Sequence, residues 1–301
     1  MNAEVLVVGA GPAGVAAALW ARSFGLEPLV LGSAGRIGGQ LLRVHFELGN
    51  LPGTVPGTGE AIARRCEQQL EAARIAVRVD AEAVALDPAA ARITLRGGET
   101  LAGRAVVIAT GVRRRRLAVP GERELTGRGV SYSANADRAQ LAGRDVAVVG
   151  GGDAAFENAL ILASEGCRVG LLVRGVARAR PEFQARVADE RRIERLDHTR
   201  ILAVLGEGHV AAVRIEDERG TWERPVEAVV IKVGNVPNTE WCAGLGHDEH
   251  GYLRVNAAFR TSQAGVWGVG DVTRPPVFSV SVALGHAALA LEEIRRQLRR
   301  A

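Results

Sequence analysis

Short apolar runs alternate along the chain with segments of helical periodicity. Residues 3–8 are apolar after their first two positions, which predicts a buried strand. The Ala-rich residues 14–24 predict a helix, with Pro12 in its N-terminal region, where a missing N–H is tolerated. Residues 27–31 predict a second strand. This order predicts a βαβ unit with a parallel sheet.

The same order of elements begins again near the middle of the chain. A strand over 145–149, a helix over 154–164 and a strand over 167–173 predict a second βαβ unit. The remaining pattern predicts helices over 59–74 and 279–300, and strands over 76–86, 91–95, 104–109, 201–205, 210–216, 227–233 and 265–271. The turn-rich segments 112–122 and 234–239 lie between these groups and are predicted to be linkers.

Each βαβ unit carries a glycine-rich turn between its first strand and its helix. The first glycine of such a turn makes the bend, the second lets the backbone approach a pyrophosphate, and the third position brings the helix close to the strand. The helix N-terminus adds N–H groups and partial positive charge. We therefore predict two dinucleotide sites, with Gly9, Gly11, Pro12, Ala13 and Gly14 at the first and Gly150, Gly152, Asp153 and Ala154 at the second.

The residues after the second turn indicate which dinucleotide binds there. An NAD site usually has an acidic residue about 20 residues on, at the ribose hydroxyls. Here that region ends in Arg174, and Arg178 and Arg180 follow. A cation disfavours NAD and favours the 2′-phosphate of NADP, so we predict NADPH at the second turn, with Arg174 and Arg178 as ligands.

Composition excludes several classes of protein. The chain has 301 residues, enough for two domains, and a net charge of +4, with 38 basic and 34 acidic residues interleaved. A nucleic-acid site needs a concentrated basic face, and the only dense run, 113–116, is short. The three cysteines form no CxxC motif, which indicates neither a disulfide framework nor a metal site. We expect a cytoplasmic protein with no membrane span and no metal.

In its motifs the chain resembles the low-molecular-weight thioredoxin reductases and the thioredoxin-reductase-like ferredoxin–NADP reductases. The resemblance runs along nearly the whole chain, and its markers are Gly9–Gly14, Gly38–Leu41, Asn50–Gly53, Ile108–Gly111, Gly150–Ala155 followed by Glu157, Val233–Thr239 and Gly270–Val272. It implies an α/β protein with two Rossmann-like three-layer domains, the NAD(P) domain being inserted in the FAD domain. The implied FAD-binding domain comprises residues 1–112 plus 241–301, and the NAD(P)-binding domain comprises residues 113–240.

The resemblance also implies a set of FAD ligands and a homodimer. Asp271 is expected at the ribitol, Gln40 and Asn50 beside the flavin ring, and Val280 at the flavin N1–O2 edge. The further residues expected at FAD are Ser33, Gly39, Thr110, Gly111, Gly270 and Ser279. His45 or Phe46 is a candidate for stacking on the flavin and Phe278 for closing its edge to solvent, with packing as the alternative for each. His286 is a candidate for an acid/base role, and the alternative is a residue on the helix face.

One departure from the thioredoxin reductases concerns their redox-active CxxC. This chain has Ser133 and Ala136 at those positions, followed by Asp137. A thiolate is the species that attacks a disulfide. The sequence therefore leads us to expect an NAD(P)H-dependent FAD reductase that is not a thioredoxin reductase and passes electrons to a non-thiol acceptor, such as ferredoxin, flavodoxin or a small molecule. Two alternatives remain open: an FAD-dependent oxidase or dehydrogenase with a vestigial NADP site, and a non-catalytic flavin or nucleotide sensor.

Overall fold

The chain folds into two units, each built on a five-stranded parallel sheet. The computed structural model describes residues 3–44 and 47–299. The first unit is discontinuous and comprises Met1–Arg113 and Val236–Ala301, and the second comprises Arg114–Asn235. Within the described ranges, no helix is long and apolar enough to cross a membrane.

Eighteen strands and six α-helices make up these units in the part of the chain that the structure describes. The strands are β1 (Val5–Val8), β2 (Pro28–Leu31), β3 (Ala76–Arg78), β4 (Ala83–Asp87), β5 (Arg92–Leu95), β6 (Thr100–Ala102), β7 (Ala105–Ile108), β8 (Val112–Arg114), β9 (Val130–Ser131), β10 (Asp145–Val149), β11 (Arg168–Leu172), β12 (Ile193–Leu196), β13 (Arg200–Leu205), β14 (Ala212–Asp217), β15 (Gly220–Pro225), β16 (Ala228–Ile231), β17 (Asn235–Pro237) and β18 (Val266–Gly268). The helices are α1 (Pro12–Ser23), α2 (Gly59–Ala72), α3 (Ala134–Leu141), α4 (Asp153–Ser164), α5 (Pro181–Asp189) and α6 (Val280–Leu298), with 3-10 helices over Gly39–Arg43 and Gly270–Thr273.

The parallel sheets have the strand orders β18-β7-β1-β2-β3 and β12-β11-β10-β16-β9. Each unit also has a three-stranded antiparallel sheet, β4-β5-β6 in the first and β13-β14-β15 in the second. Strands β8 and β17 form a two-stranded sheet where the chain passes from one unit to the other. The α/β fold with Rossmann-like parallel sheets confirms the predicted fold class.

The central strands are buried on both faces, as their uniformly apolar sequences require. All four residues of β1 and all four of β7 are at most 3% exposed, which is typical of a parallel sheet covered by helices. In the first unit, α1 packs on α6 through small side chains, among them Ala17, Ala287 and Ala290. Small residues let the two helices approach closely and hold the N-terminus of α1 at the end of β1.

Several elements differ from the sequence expectation. The predicted strand 76–86 is two strands, β3 and β4, which belong to different sheets. The predicted linker 112–122 begins with β8. The sequence pattern also failed to indicate α3, α5, β6, β9, β12, β15 and β17, the last of which lies in the predicted linker 234–239. Strands β9 and β8 are only two and three residues long, too short for an alternating pattern to be recognised.

Candidate functional site

The first glycine turn lies at the carboxyl end of β1. Gly9 has φ +122°, and a Cβ atom there would lie 2.2 Å from the carbonyl oxygen of Ala109. A Cβ at Gly14 would lie 1.8 Å from the carbonyl oxygen of Gly9. At Gly11 the nearest atom to an added Cβ is the Cα of Gly39, at 3.9 Å. Two glycines thus close the turn while the middle one leaves open backbone, as a pyrophosphate requires.

Asp271 comes to this turn from the far end of the sequence. The preceding Gly270 has φ +73°, and a Cβ there would lie 2.8 Å from the Cβ of Ala13. Asp271 is partly buried, and burial raises the pKa of its carboxyl group. Its carboxylate accepts no hydrogen bond from the residues that the structure describes. An acceptor left without donors beside an open glycine turn fits the hydroxyl groups of a ribitol chain, so the residues present fit FAD.

His286 on α6 holds the Gly270–Asp271 turn from behind. Its Nδ1 accepts the backbone N–H of Gly270 at 3.3 Å, and its ring lies 4.2 Å from the ring centre of Phe259. Burial lowers the pKa of His286. The neutral ring with its proton on Nε2 is therefore the form that makes this contact. The structure places His286 as a support of the turn, and an acid/base role stays a prediction.

A second group of residues fixes the end of β7 near the first turn. Thr110 Oγ1 donates to the carbonyl oxygen of Asn238 at 2.8 Å, and Asn238 Nδ2 donates to the carbonyl oxygen of Thr110 at 2.8 Å. The Asn238 backbone N–H donates to the carbonyl oxygen of Gly111 at 3.0 Å. Gln40 Nε2 donates to the carbonyl oxygen of Val112. Asn238 was not among the predicted site residues, although it lies in a marker of the resemblance.

The other predicted flavin-side residues lie at the surface or at helix ends. Ser33 follows β2 and is exposed, as is Asn50. Ser279 caps α6, its hydroxyl accepting the N–H of Val282 at 3.2 Å, and Val280 begins the helix. Phe278 is 43% exposed, and its ring makes an edge-type contact with Tyr252, so its role at the flavin edge stays a prediction. The prediction for His45 and Phe46 lies outside the described residues.

The second glycine turn repeats this geometry at the carboxyl end of β10. Gly150 has φ +145°, and a Cβ there would lie 2.3 Å from the carbonyl oxygen of Lys232. A Cβ at Gly152, which caps α4, would meet no atom of the described chain within 4 Å. Ala155 takes the third position and is fully buried. The open middle glycine and the helix N-terminus again fit a dinucleotide pyrophosphate.

The arginines after β11 line one side of this turn. The backbone N–H groups of Arg178 and Ala179 donate to the carbonyl oxygen of Gly151 at 2.6 and 3.1 Å, which fixes the loop against the turn. Arg174 and Arg178 are exposed. Arg180 instead pairs with the Asp153 carboxylate, Nε to Oδ2 at 2.8 Å. Asp153 is therefore neutralised, and Arg174 and Arg178 remain to meet an anion.

The positions of the missing redox cysteines lie at the N-terminus of α3. Ser133 is the N-cap, and its hydroxyl accepts the backbone N–H of Ala136 at 3.4 Å. Ser131 Oγ donates to the carboxylate of Asp137. The chain's three thiols are free and lie elsewhere, at Cys66, Cys167 and Cys242. Burial raises the pKa of each, that of Cys242 to about 12, so they are protonated at neutral pH.

A buried carboxylate, that of Glu122, holds the segment that leads into α3. Glu122 is 2% exposed and accepts the backbone N–H groups of Leu117 at 3.1 Å and Ala118 at 2.7 Å. The Tyr132 hydroxyl donates to it at 2.6 Å. Burial, with Glu122 next in effect, raises the pKa of Tyr132 to about 12. Tyr132 directly precedes Ser133, so Glu122 ties the start of the second unit to the N-terminus of α3.

We expect Glu122→Ala to lower the free energy of unfolding by about 2–3 kcal/mol, because two amides and a phenol lose a charged acceptor. Chemical denaturation of the purified protein measures this change. Glu124→Ala is the matched control, since Glu124 is exposed two residues further on. Equal stability of the two variants would show that the Glu122 contacts contribute nothing.

Sequence comparison places this geometry in a family. Residues 3–290 match the family described as pyridine nucleotide-disulphide oxidoreductase. The chain belongs to this family. Among its relatives, the thioredoxin reductase of Listeria innocua is 32% identical, covering 95% of this chain and 91% of that protein. An alkyl hydroperoxide reductase protein of Pseudomonas putida is 34% identical over 95% of this chain, which spans only 56% of that protein's length.

Solved structures of the family agree with this placement. The crystal structure of Lactococcus lactis thioredoxin reductase in the FR conformation has a TM-score of 0.83 at 27% identity, with each chain covered completely. The crystal structure of T. acidophilum thioredoxin reductase has a TM-score of 0.80 at 25% identity, with 99% of each chain covered. The thioredoxin reductases of this family use FAD and NADPH, which confirms the cofactor prediction at family level.

These comparisons correct the functional prediction. The expectation that the protein is not a thioredoxin reductase, and that ferredoxin, flavodoxin or another non-thiol acceptor takes its electrons, is contradicted by relatives named thioredoxin reductase at 31–34% identity over most of the chain. The ferredoxin–NADP reductase subtype is likewise not supported. The prediction was wrong because it gave two missing sulfur atoms, at positions 133 and 136, more weight than similarity along the whole chain.

Proposed function

We propose that this protein is an NADPH-dependent FAD oxidoreductase of the thioredoxin reductase type. The observation that carries the proposal is the pair of glycine turns, each with an open middle glycine at a helix N-terminus. The first turn lies beside Asp271, whose carboxylate accepts no hydrogen bond from the described residues, and the second lies beside the exposed guanidinium groups of Arg174 and Arg178. A carboxylate suits ribitol hydroxyl groups and guanidinium groups suit a phosphate, so the two turns hold different dinucleotides.

We assign FAD to the first turn and NADPH to the second. The α1 N-terminus and Gly11 hold the FAD pyrophosphate, Asp271 its ribitol, and the α6 N-terminus at Val280 places partial positive charge toward the flavin. Gly152 and the α4 N-terminus hold the NADPH pyrophosphate, and Arg174 its 2′-phosphate. When bound, the two cofactors supply hydride transfer between nicotinamide and flavin, and the protein supplies binding and orientation.

Thioredoxin is the acceptor that we propose for the electrons, because the relatives that match this chain over most of both proteins' lengths are named thioredoxin reductase. We also propose that the protein is a homodimer located in the cytoplasm, as predicted from the sequence.

The assay for the acceptor uses the purified protein with NADPH and oxidised thioredoxin, and follows both NADPH consumption and thioredoxin thiols. Turnover that produces thiols supports the proposal, and NADPH consumption without thiol formation would overturn its acceptor.

Cysteines at positions 133 and 136 are expected to raise the rate of thioredoxin reduction at least about tenfold, because a thiolate is the attacking species in disulfide exchange. Ser133 is the N-cap of α3, so a cysteine there lies at a helix N-terminus, which lowers a thiol pKa. Ser133→Cys/Ala136→Cys is compared with each single variant, which lacks the second thiol. No gain in a double variant that holds FAD and is reduced by NADPH would show that these positions do not pass electrons.

A further inference from the structure

Lys232 directly follows β16 at its carboxyl end. The roles assigned to the second glycine turn and to the arginines give the Lys232 side chain no function. Strand β16 lies between β10 and β9, with Ile231 paired to Val149 and Val230 paired to Ser131. Continuing this parallel register places Lys232 level with Gly150 on one side and Ser133 on the other. The carbonyl oxygen of Lys232 is also the atom that a Cβ at Gly150 would strike, at 2.3 Å. Lys232 therefore borders the second turn directly.

The side chain of Lys232 is held at this edge rather than extended into solvent. Its Nζ donates to the carbonyl oxygen of Tyr132 at 2.8 Å. An ammonium group has three donors, and this contact uses one of them. Burial lowers the pKa of Lys232 to about 8; the charge of Arg114 acts in the same direction, and that of Glu157 on α4 opposes it. The amine is thus positioned and still mostly protonated at neutral pH.

The strand order decides which half of a dinucleotide reaches Lys232. A dinucleotide crosses the carboxyl edge of the sheet at the glycine turn, with its halves on opposite sides of the first strand. Arg174 follows β11 on one side of β10, and Lys232 follows β16 on the other. With the 2′-phosphate of the adenosine half at Arg174, the nicotinamide half lies over β16.

We propose that Lys232 binds the nicotinamide half of NADPH, donating to a carboxamide or phosphate oxygen while the Tyr132 carbonyl holds the amine in place. This inference rests on the assignment of NADPH to the second turn. It gives each half of the coenzyme at least one cation of its own. Arg174 recognises the feature that distinguishes NADPH from NADH, and Lys232 recognises the part that both share.

The test compares a whole coenzyme with its adenosine half, using calorimetry on the FAD-loaded protein. The ligands are NADP⁺ and adenosine 2′,5′-bisphosphate, which lacks the nicotinamide half. Lys232→Met should weaken NADP⁺ about tenfold, the value of one charge-assisted hydrogen bond, and leave the bisphosphate unchanged. Lys232→Arg should retain most of the NADP⁺ affinity, and Arg174→Ala should weaken both ligands.

Using two ligands also distinguishes an error in the role proposed for Lys232 from an error in the assignment of NADPH to the second turn. Unchanged NADP⁺ affinity in Lys232→Met would overturn the proposed role of Lys232. Equal weakening of both ligands would also overturn it, because that result would show that Lys232 only supports the structure of the turn. If the wild-type protein binds neither ligand, the NADPH assignment itself falls, and this inference with it. Retained bisphosphate binding shows that the variant is folded.

A pH series provides a signature that a purely structural role does not predict. The ammonium form of Lys232 attracts an anionic or carbonyl oxygen more strongly than the amine does. Because the pKa of the free protein's Lys232 is about 8, NADP⁺ affinity should fall as the pH rises from about 7 to about 9. The fall should be absent in Lys232→Met. An identical pH profile in both proteins would contradict the proposal.

Discussion

Replacing Asp271 by alanine is expected to yield protein that is purified without flavin. The carboxylate has no hydrogen-bond donor among the described residues, although it is partly buried and lies next to the first glycine turn. Two charged hydrogen bonds to ribitol hydroxyl groups contribute about 3–5 kcal/mol, so affinity for FAD should fall at least about 100-fold. The ratio of flavin absorbance to protein absorbance, and titration of the apoprotein with FAD, measure the loss.

The stability of the apoprotein distinguishes a cofactor ligand from a structural residue. Burial raises the folded-state pKa of Asp271, so its contribution to stability is fully present below the unfolded-state pKa and is lost as the pH rises through the folded-state pKa. At neutral pH the ionised carboxylate therefore destabilises the apoprotein. We expect flavin-free Asp271→Ala to unfold at the same temperature as flavin-free wild type or above it.

A surface aspartate provides the control for this variant. Asp87→Ala removes an exposed carboxylate at the end of β4 and should leave flavin content unchanged. Two results would contradict the assignment of Asp271. One is a variant that retains stoichiometric FAD, and the other is an apoprotein markedly less stable than wild-type apoprotein.

Replacing both Arg174 and Arg178 is expected to remove the preference for NADPH over NADH. Both side chains are exposed on the loop after β11, whose backbone donates hydrogen bonds to the Gly151 carbonyl oxygen. Arg180, by contrast, forms an ion pair with Asp153. Two guanidinium contacts to a 2′-phosphate correspond to about 100-fold in affinity, and NADH, which lacks that phosphate, gains nothing from them. The double variant should therefore lose about 100-fold with NADPH and little with NADH.

The measurement is the ratio of kcat/KM for NADPH to that for NADH in anaerobic flavin reduction. Arg191→Ala is the matched control because Arg191 is an exposed arginine of the same unit with no hydrogen bond to the described residues. An unchanged ratio in the double variant would show that the 2′-phosphate is recognised elsewhere. A parallel loss with both coenzymes would show that the substitutions damage the turn itself.

The sequence predicted the parts of the fold that depend on local rules. Uniformly apolar strands such as β1 and β10, and glycines whose Cβ atoms would clash with backbone, leave a strong local pattern. Elements defined by pairing alone, such as β8 and β9, leave almost none. The interruption that separates β3 from β4 was missed because both segments are extended, and only the tertiary structure assigns them to different sheets.

The same distinction applies to the site. Gly9, Gly11 and Gly14 are identified by spacing, but the carboxylate of Asp271 was predicted only through family resemblance. The contacts of His286 with Gly270 and of Asn238 with Thr110 join residues far apart in the sequence, so no spacing rule finds them. The acceptor was the part predicted wrongly, because it was inferred from the absence of two sulfur atoms rather than from a feature that is present.

Anaerobic reduction of the purified, FAD-loaded protein by NADPH tests most directly whether the two turns hold FAD and NADPH as a working pair. The flavin absorbance is followed after rapid mixing with one equivalent of NADPH, and then in a separate sample with NADH. We predict complete bleaching by NADPH within the time of catalytic turnover, and slower bleaching by NADH. A flavin that remains oxidised with both nucleotides would contradict the assignment.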